Sequence, residues 1–392
     1  MKNEKLKILY LLTFPLYGSG SGTYARYLAR EVNKHHKVAI LCPDNRQVNG
    51  VKIYSLNMPF KVAFTGHPEW KNCRLFKDIS HIEILRIYKS YLDNTVKVVE
   101  DFKPNIIHVH HAFPFSWAAR FIKSTYQIPY VISIHGSELI TLQKDERYLA
   151  LTMDALRKAR RIIPNSYYTK DWMLKIVGEN YRKQLRTIPG GVEINKFHKV
   201  NTNDIDKQYN LKGKKLVVFA GKLTPYKGVK YLVGAAKRID GEIFILGGGS
   251  QRKYLEEMVK NKGITNVRFL GHLGNNTSFL IKLYSRADVF VAPSTWDEPL
   301  GLVILEAMAC ETPVVVTRKG GIPLAVKDGK NGLFIKSKSS KDIAEKVNYL
   351  LKNDKLRFNM GKRARKIAEE KFDWDIIADK FINIYQKFSN PF

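Results

Sequence analysis

In this chain, short apolar runs alternate with helix-favouring stretches, and this alternation constrains the fold more than any other feature of the sequence. The first run, Ile8–Tyr17, leads through a Gly/Ser-rich turn into a helical pattern over Thr23–Val32. A second apolar run, Val38–Cys42, follows that pattern. Strand, glycine turn, helix and strand in succession form an α/β unit, and apolar runs of this kind are typical of buried parallel strands. We therefore expect a parallel sheet at the amino end.

The amino-terminal segment has a second interpretation, a secretory signal peptide, because the charged stretch Met1–Lys7 precedes the apolar run. Cleavage would delete the first strand of the α/β unit, so we favour the strand. The sequence contains no run of 18 apolar residues, and we expect no transmembrane helix. Cys42, Cys73 and Cys310 are scattered, which argues against a disulfide framework and favours a reducing, cytoplasmic location.

The alternation occurs in two series. Strand-like runs of the first series continue at Ile106–Val109, Tyr130–Ile134, Arg161–Pro164 and Leu185–Ile188, and those of the second lie at Leu216–Ala220, Ile243–Leu246, Val267–Leu270, Val289–Ala292, Pro313–Val316 and Leu333–Ile335. We predict an α/β protein of two doubly wound, Rossmann-like domains, 1–195 and 216–372, joined by a polar linker at 196–215. Such domains face each other across a ligand-binding cleft. The last helical segment, 373–392, is expected to pack back toward the first domain.

The net charge of +30, from 66 Lys and Arg against 36 Asp and Glu, indicates affinity for polyanions. The excess is spread over both halves of the chain without a nucleic-acid motif, so we expect no specific nucleic-acid partner. A solvated basic surface is one interpretation, and peripheral association with an anionic membrane is another. The apolar, basic helical pattern within Phe60–Phe102 fits either an interfacial helix or a helix that covers the sheet.

The stretch Ser294–Ala309 holds two glutamates with informative spacing. A step of eight residues turns about 80° beyond two full helical turns, so Glu298 and Glu306 cannot share a helical face. Pro299 suits a helix start, which leaves Glu298 in the preceding loop and Glu306 as the lone charge of an apolar helix. Glu306 then needs donors such as ribose hydroxyls, Glu298 would reach sugar hydroxyls, and the helix start would face a phosphate. An exposed glutamate on an amphipathic helix is the alternative.

Two lysines stand in the segment Phe219–Gly228, which follows a strand and precedes a helix. This position directs Lys222 and Lys227 toward the predicted cleft, where two cations can neutralise a diphosphate leaving group in place of a metal ion. A glycine turn, Gly247–Ser250, ends another strand of the same domain and permits close backbone approach to a nucleotide. These residues predict a nucleoside-diphosphate site.

With these motifs, nearly the whole chain resembles the retaining family-4 glycosyltransferases of the GT-B fold. The resemblance implies that Glu298 binds the donor sugar, that Glu306 binds ribose, and that Lys222 and Lys227 bind the diphosphate, with Lys222 in place of the usual Arg. It also implies that His135, within Ser133–Gly136, contacts the transferred sugar. His135, Lys222, Lys227 and Glu298 are therefore the expected catalytic residues. The resemblance adds these donor-binding residues: Gly20, Ser21, Gly22, Gly248, Pro299, Leu300 and Gly301.

The resemblance implies that the nucleoside-diphosphate sugar binds mainly to residues 216–335 of the second domain, and that the acceptor enters from the first domain. On this acceptor side, it implies contacts from Thr23, His110 and His111. A metal site at these histidines is not expected, because no carboxylate accompanies them. The Asp-x-Asp sequences at 204–206 and 373–375 fall in the linker and at the last helix, where solvated or capping roles are expected. Glu311 and Leu324 depart from the Gly and Glu that are common in the family.

We thus predict a retaining hexosyltransferase that moves a sugar from a nucleoside-diphosphate sugar to a hydroxyl acceptor such as a glycan, a lipid-linked saccharide or a small polar molecule. A UDP-sugar is the preferred donor and GDP-mannose the second, with no cofactor and no metal. The alternatives are a nucleotide-sugar epimerase or phosphorylase of the same fold, and a non-catalytic protein that binds polyanions or lipid. We expect a cytoplasmic location, at the inner face of the membrane for a lipid-linked acceptor.

Overall fold

A computed structural model describes residues 5–67, 69–70, 72–273 and 276–389. The chain forms two compact units. Unit 1 comprises Met1–Gly190 and Trp374–Phe392, and unit 2 comprises Gly191–Asp373. The predicted linker range belongs to unit 2 and contains a short helix, Asn203–Tyr209.

Unit 1 is organised around parallel strands. They are β1 (Lys7–Leu12), β2 (Lys37–Cys42), β3 (Lys52–Ser55), β4 (Val62–Ala63), β5 (Arg74–Leu75), β6 (Ile106–His110), β7 (Tyr130–Ile134) and β8 (Arg161–Pro164). Six of them form a sheet in the order β3-β2-β1-β6-β7-β8, and β4 pairs with β5. Since β1 pairs with both β2 and β6, the strand order reverses at β1, as it does in doubly wound folds.

The helices of unit 1 pack on both faces of this sheet. They are α1 (Gly20–Asn33), α2 (His81–Phe102), α3 (Phe115–Thr125), α4 (Ser137–Lys144), α5 (Leu149–Lys158) and α6 (Tyr167–Val177), and the last helix of the chain joins them. Leu9 and Leu11 of β1 point into one core, and Ile8 and Tyr10 into the other. This two-sided burial explains the near-continuous apolar strands.

Unit 2 repeats the design. Its strands are β9 (Leu216–Ala220), β10 (Glu242–Leu246), β11 (Val267–Gly271), β12 (Val289–Ala292), β13 (Val314–Thr317) and β14 (Gly332–Ile335), in the order β11-β10-β9-β12-β13-β14. Its helices are α7 (Asn203–Tyr209), α8 (Val229–Ala235), α9 (Arg252–Asn261), α10 (Thr277–Arg286), α11 (Leu302–Ala309), α12 (Ile322–Ala325), α13 (Ser340–Leu351) and α14 (Asp354–Phe372). The order reverses between β9 and β12, so ligands are expected beyond the carboxyl ends of these strands.

The last helix, α15 (Trp374–Phe388), returns to unit 1 and packs on α1. The ring of Trp374 meets that of Tyr24 edge-on, with 5.3 Å between centroids. Buried Phe381 and Tyr385 extend the contact along the same core. Unit 1 is therefore completed by the end of the chain.

One predicted strand differs in the structure. Residues 185–188 run beside β8, but only Leu185 forms a bridge, to Ile162, and the segment is not a strand. Amides of Arg186 and Ile188 donate to β8 carbonyls, while the following Pro189 has no amide hydrogen with which to extend the ladder. Across the described residues, no helix is both long and apolar enough to span a bilayer.

Candidate functional site

The loop after β9 carries the two predicted diphosphate lysines and is held by a neighbouring glycine turn. The amide of Leu223 donates to the carbonyl of Gly248 at 2.9 Å. Gly247 has a φ of +128°, and a Cβ atom there would lie 1.9 Å from the carbonyl oxygen of Gly221. Only glycine fits this crossing of two backbones, which brings the Lys222 loop against the turn after β10.

Lys227 and Glu298 form an ion pair in unit 2. The Nζ atom of Lys227 lies 2.5 Å and 2.6 Å from the two carboxylate oxygens of Glu298, and the hydroxyl of Ser294 donates to Oε2 at 3.1 Å. The Lys227 side chain is 26% exposed and that of Glu298 19%. The pair thus joins the ends of β9 and β12 at the point where the strand order reverses.

The loop around Glu298 is fixed by its backbone as well. Gly321 donates its amide to the carbonyl of Glu298 at 2.7 Å, and Gly320 donates to the Asp297 carboxylate at 3.0 Å. The helix that follows begins at Leu302, three residues beyond Pro299, because Gly301 takes a left-handed conformation with φ of +76°. Pro299, Leu300 and Gly301 therefore lie in the loop, and the prediction of a helix start at Pro299 was wrong.

Glu306 lies within α11, where it accepts a hydrogen bond from the Tyr284 hydroxyl at 3.2 Å. Burial raises the pKa of Glu306 to about 7, and the bond from Tyr284 only partly offsets that rise. One carboxylate oxygen is thus paired with Tyr284, and the group is poised between its neutral and charged forms at physiological pH. Sequence reasoning missed Tyr284, which lies 22 residues away on α10 with no local motif.

A cavity of about 230 Å³ opens beside these residues. Its lining combines the two glycine turns with α10 and α11: Ala220, Gly221, Lys222, Leu246, Gly247, Gly248, His272, Leu273, Leu280, Tyr284 and Val303. Desolvation and the nearby charge of Lys227 lower the pKa of Lys222, although much of its side chain remains in contact with solvent. The cavity offers apolar walls for a flat ring and a cation at its edge.

In unit 1, the predicted glycine residues lie in the first turn of α1, which begins at Gly20 rather than at Thr23. The side chain of Ser19 caps this helix by accepting a hydrogen bond from the amide of Gly22 at 3.1 Å. Ser21 lies beside it, with 3.4 Å between the two hydroxyl oxygens. The remaining amides of this turn could receive an anion.

His135 belongs to a buried histidine cluster. Its Nε2 atom lies 3.1 Å from Nδ1 of His110, and its backbone amide donates to Glu138 at 2.8 Å. Burial lowers the pKa of His135 to about 3, so the ring is neutral near pH 7. His108 bridges Tyr385 of α15 and Ser133, at 2.7 Å and 2.8 Å. The contact with His110 thus fixes the ring of His135, which is expected to touch the transferred sugar.

The two histidines predicted on the acceptor side, His110 and His111, are both buried. Neither ring nitrogen of His111 has a hydrogen-bond partner among the described residues, and its ring contacts Phe14 and Phe64. The described residues contain no group of three or more His, Cys, Asp or Glu side chains that could hold a metal ion. The acceptor role of these histidines stays a prediction.

Comparisons with known proteins cover both units. The family described as "Glycosyl transferases group 1" matches residues 201–367, and "Glycosyltransferase Family 4" matches 18–196. Glycosyltransferase MJ1607 of Methanocaldococcus jannaschii is 29% identical over 382 residues, which cover 91% of this chain and 90% of that protein.

Solved structures show the same fold. Sucrose-phosphate synthase from Thermosynechococcus elongatus aligns with a TM-score of 0.79 and 21% identity over 98% of this chain and 99% of that one. Anabaena HepE in complex with UDP-glucose aligns with a TM-score of 0.74 and 20% identity over 97% and 100%. Two Rossmann-like units, and family matches that together cover most of the sequence, show that this chain belongs to the group 1 glycosyltransferases of the GT-B fold.

Proposed function

We propose that the protein is a retaining glycosyltransferase that moves a hexosyl unit from a nucleoside-diphosphate sugar to a hydroxyl acceptor. The observation that carries this proposal is the Lys227–Glu298 ion pair at the point in unit 2 where the strand order reverses. It sets a cation for phosphate and a carboxylate for sugar hydroxyls side by side. Lys222, at the edge of the adjoining cavity, supplies a second cation.

A UDP-sugar is the preferred donor and GDP-mannose the second. The cavity of unit 2 has apolar walls suited to a base. Glu306, which accepts a hydrogen bond from Tyr284 of the cavity wall, can accept further hydrogen bonds from a ribose diol. The structure of the Anabaena protein in complex with UDP-glucose supports uridine as the first choice. No cofactor or metal ion is required in this scheme, because lysines and backbone amides neutralise the diphosphate.

The reaction proceeds by attack on the face from which the diphosphate leaves. The bond between the anomeric carbon and the diphosphate oxygen breaks, the acceptor oxygen bonds to that carbon, and the acceptor proton passes to a diphosphate oxygen. Lys222 and Lys227 stabilise the charge that develops on the leaving group. His135, being neutral, acts as a hydrogen-bond partner of the sugar rather than as a proton donor.

Hydrolysis assays with a panel of donors, and a variant of Lys227, test this proposal. Purified protein should hydrolyse UDP-glucose slowly in the absence of acceptor, faster than it hydrolyses GDP-mannose or ADP-glucose. Lys227→Ala should lower this rate by at least 100-fold, as expected when a cation that stabilises the leaving group is lost. Lys237→Ala, which removes an exposed lysine of the same unit, is the matched control. Normal turnover of folded Lys227→Ala protein would contradict the role of Lys227.

For a lipid-linked acceptor, we infer peripheral binding of unit 1 to an anionic membrane at the cytoplasmic face. On α2, Ile82 and Leu85 are 56% and 57% exposed, and the exposed Arg86 and Lys89 lie on the same face. Apolar and basic side chains together suit an anionic bilayer surface. Flotation with phosphatidylglycerol vesicles should carry wild-type protein upward, and Ile82→Ser/Leu85→Ser protein should stay at the bottom. Equal flotation of the two proteins would contradict this surface.

A further inference from the structure

Two histidines meet at the carboxyl ends of neighbouring strands in unit 1. His110 is the last residue of β6, and His135 directly follows β7. The strands pair in parallel, with His110 opposite Ser133. Side chains two residues apart along a strand point to the same face of a sheet, so this register brings His135 diagonally beside His110. The contact of 3.1 Å between Nδ1 of His110 and Nε2 of His135 therefore follows from the strand register.

This contact joins two neutral rings. Burial lowers the pKa of His110 well below its usual value and lowers that of His135 to about 3. A neutral imidazole carries one hydrogen, on either Nδ1 or Nε2. Of the two nitrogens in contact, one must therefore donate and the other accept. Because each ring has a single hydrogen, the tautomer of one ring sets the tautomer of the other.

The second ring nitrogen of His110 indicates which ring donates. This nitrogen, Nε2, is enclosed and has no hydrogen-bond partner among the described residues. If His135 donated, His110 would carry its hydrogen on Nε2, as a buried N–H group without an acceptor. If His110 donates, only an acceptor nitrogen stays unpaired. Among buried backbone groups, an N–H without a partner is rarer than an acceptor without one, and the same preference favours His110 as the donor.

His135 then carries its hydrogen on Nδ1. Within the part of the chain that the structure describes, this nitrogen makes no hydrogen bond. The backbone of His135 is already paired, since its amide donates to Glu138 at 2.8 Å and its carbonyl accepts from Nδ2 of Asn165 at 3.2 Å. The Nδ1–H group is therefore the part of His135 that is left for a ligand.

Resting on the proposed function, we propose that His110 is a positioning residue that holds His135 in the Nδ1-protonated tautomer, so that this N–H group donates to an oxygen of the transferred sugar. With its hydrogen on Nε2, His135 would offer the sugar an acceptor instead. A donor that is oriented before the substrate binds needs no reorganisation during the reaction. The role requires no contact between His110 and a substrate, in keeping with its complete burial.

Nitrogen-15 NMR of the full chain, labelled at histidine, tests the tautomer directly. Protonated and bare ring nitrogens resonate well apart, and the spectrum of His135→Gln protein assigns the signals of His135. In wild-type protein, Nδ1 of His135 should be protonated and Nε2 bare. In His110→Phe, both signals should move to intermediate positions, because the ring then exchanges between tautomers. His110→Asn should keep the wild-type pattern, since its side-chain amide can donate from about the position of Nδ1.

Hydrolysis of UDP-glucose measures the consequence for the reaction. His110→Phe should lower kcat by about 10-fold or more and change KM less than threefold, a loss typical of removing the hydrogen-bond partner behind a contact residue. His110→Asn should keep kcat within threefold of wild type. His36→Phe removes another buried histidine of unit 1 and is the matched control, which should change neither kcat nor the signals of His135. Thermal melting checks that each variant is folded.

The two measurements separate this inference from the proposed function. If wild-type protein hydrolysed no donor, the proposed reaction would be wrong, while the spectra would still decide the tautomer of His135 and the role of His110 in setting it. A protonated Nε2 in wild-type protein would overturn the inference without any variant of His110. A wild-type spectrum or a wild-type kcat in folded His110→Phe would overturn it as well, as would a kcat of His110→Asn as low as that of His110→Phe.

Discussion

Lys227 and Glu298, 71 residues apart in sequence, meet with their charged atoms 2.5 Å apart. Each side chain is mostly enclosed, so each charge depends on the other for compensation. We expect a double-mutant cycle with Lys227→Met and Glu298→Gln to give a coupling of about 1–3 kcal/mol. Hydrogen exchange of β9 and β12 reports the free energy of opening for each protein.

The exposed pair Lys366 and Glu370, on α14, is the control for this cycle, with 3.7 Å between its charged atoms. Its coupling should be about 0.3–0.5 kcal/mol, as is usual for exposed pairs four residues apart on a helix. A Lys227–Glu298 coupling no larger than this would show that the enclosed pair stabilises unit 2 no more than an exposed pair does.

Titration of Glu306 should control nucleoside affinity. Its pKa of about 7 in the folded protein means that the carboxylate, the form that accepts ribose hydroxyls, is lost as the pH falls. Uridine, which has no phosphate to titrate, should therefore bind about 30-fold more weakly at pH 5.5 than at pH 8. Glu306→Gln should bind weakly at both pH values. An equally steep pH dependence in this variant would assign the titration to another group.

The raised pKa of Glu306 also makes the free energy of unfolding depend on pH, in the direction opposite to that of an ordinary ion-paired carboxylate. Between pH 4.5 and 7, folded protein retains the proton of Glu306 that unfolded protein has lost, so the free energy of unfolding falls as the pH rises. The contribution across this window is about 3 kcal/mol. Urea titrations at pH 4.5 and 7.5 measure this fall in the free energy of unfolding. In Glu306→Gln the fall should be smaller than in wild type by about 3 kcal/mol. A decline as large as that of wild type would contradict the pKa shift.

Acid should act on unit 1 through its buried histidines. Burial lowers the pKa of His111 well below its usual value, so below about pH 6.5 unfolded protein binds a proton that folded protein does not. Stability is therefore lost as the pH falls. His111→Asn, which tolerates the left-handed backbone there, should reduce this slope by about 1.4 kcal/mol per pH unit.

The test of this histidine is urea unfolding between pH 7.5 and 5, followed by tryptophan fluorescence, since four of the five tryptophans lie in unit 1. His35→Asn, at an exposed position of the same unit, is the control and should leave the slope unchanged. A wild-type slope in His111→Asn would show that the ring is protonated in the folded state.

Gly228 should resist substitution for a steric reason. A Cβ atom there would lie 2.0 Å from the carbonyl oxygen of Pro293, whereas one at Gly263, with a similar left-handed φ, meets nothing within 4 Å. Both substitutions share the backbone strain, about 1–2 kcal/mol. We expect Gly263→Ala to lose only this strain, about 1–2 kcal/mol, from the free energy of unfolding. Gly228→Ala should lose more than about 4 kcal/mol, and it should also lose UDP binding. Thermal melting and calorimetry check both, and equal losses would contradict the close approach.

Much of this architecture could be predicted from the sequence, because buried parallel strands and glycine turns leave local signals. The spacing of Glu298 and Glu306 correctly separated a loop residue from a helical one. Local spacing says nothing about partners from distant segments. Tyr284 therefore escaped notice, as did the Arg46 bridge between Asp44 and Glu69.

The return of α15 to unit 1 bears on how the protein is made. During synthesis, all of unit 2 leaves the ribosome before α15, the helix that covers α1. Until α15 is made, the apolar face of unit 1 that it covers stays exposed. Unit 2 is in effect an insertion into unit 1. A stop codon just before Trp374 would therefore destabilise unit 1, whose other residues all precede Gly191, and leave unit 2 intact although unit 2 ends next to the stop.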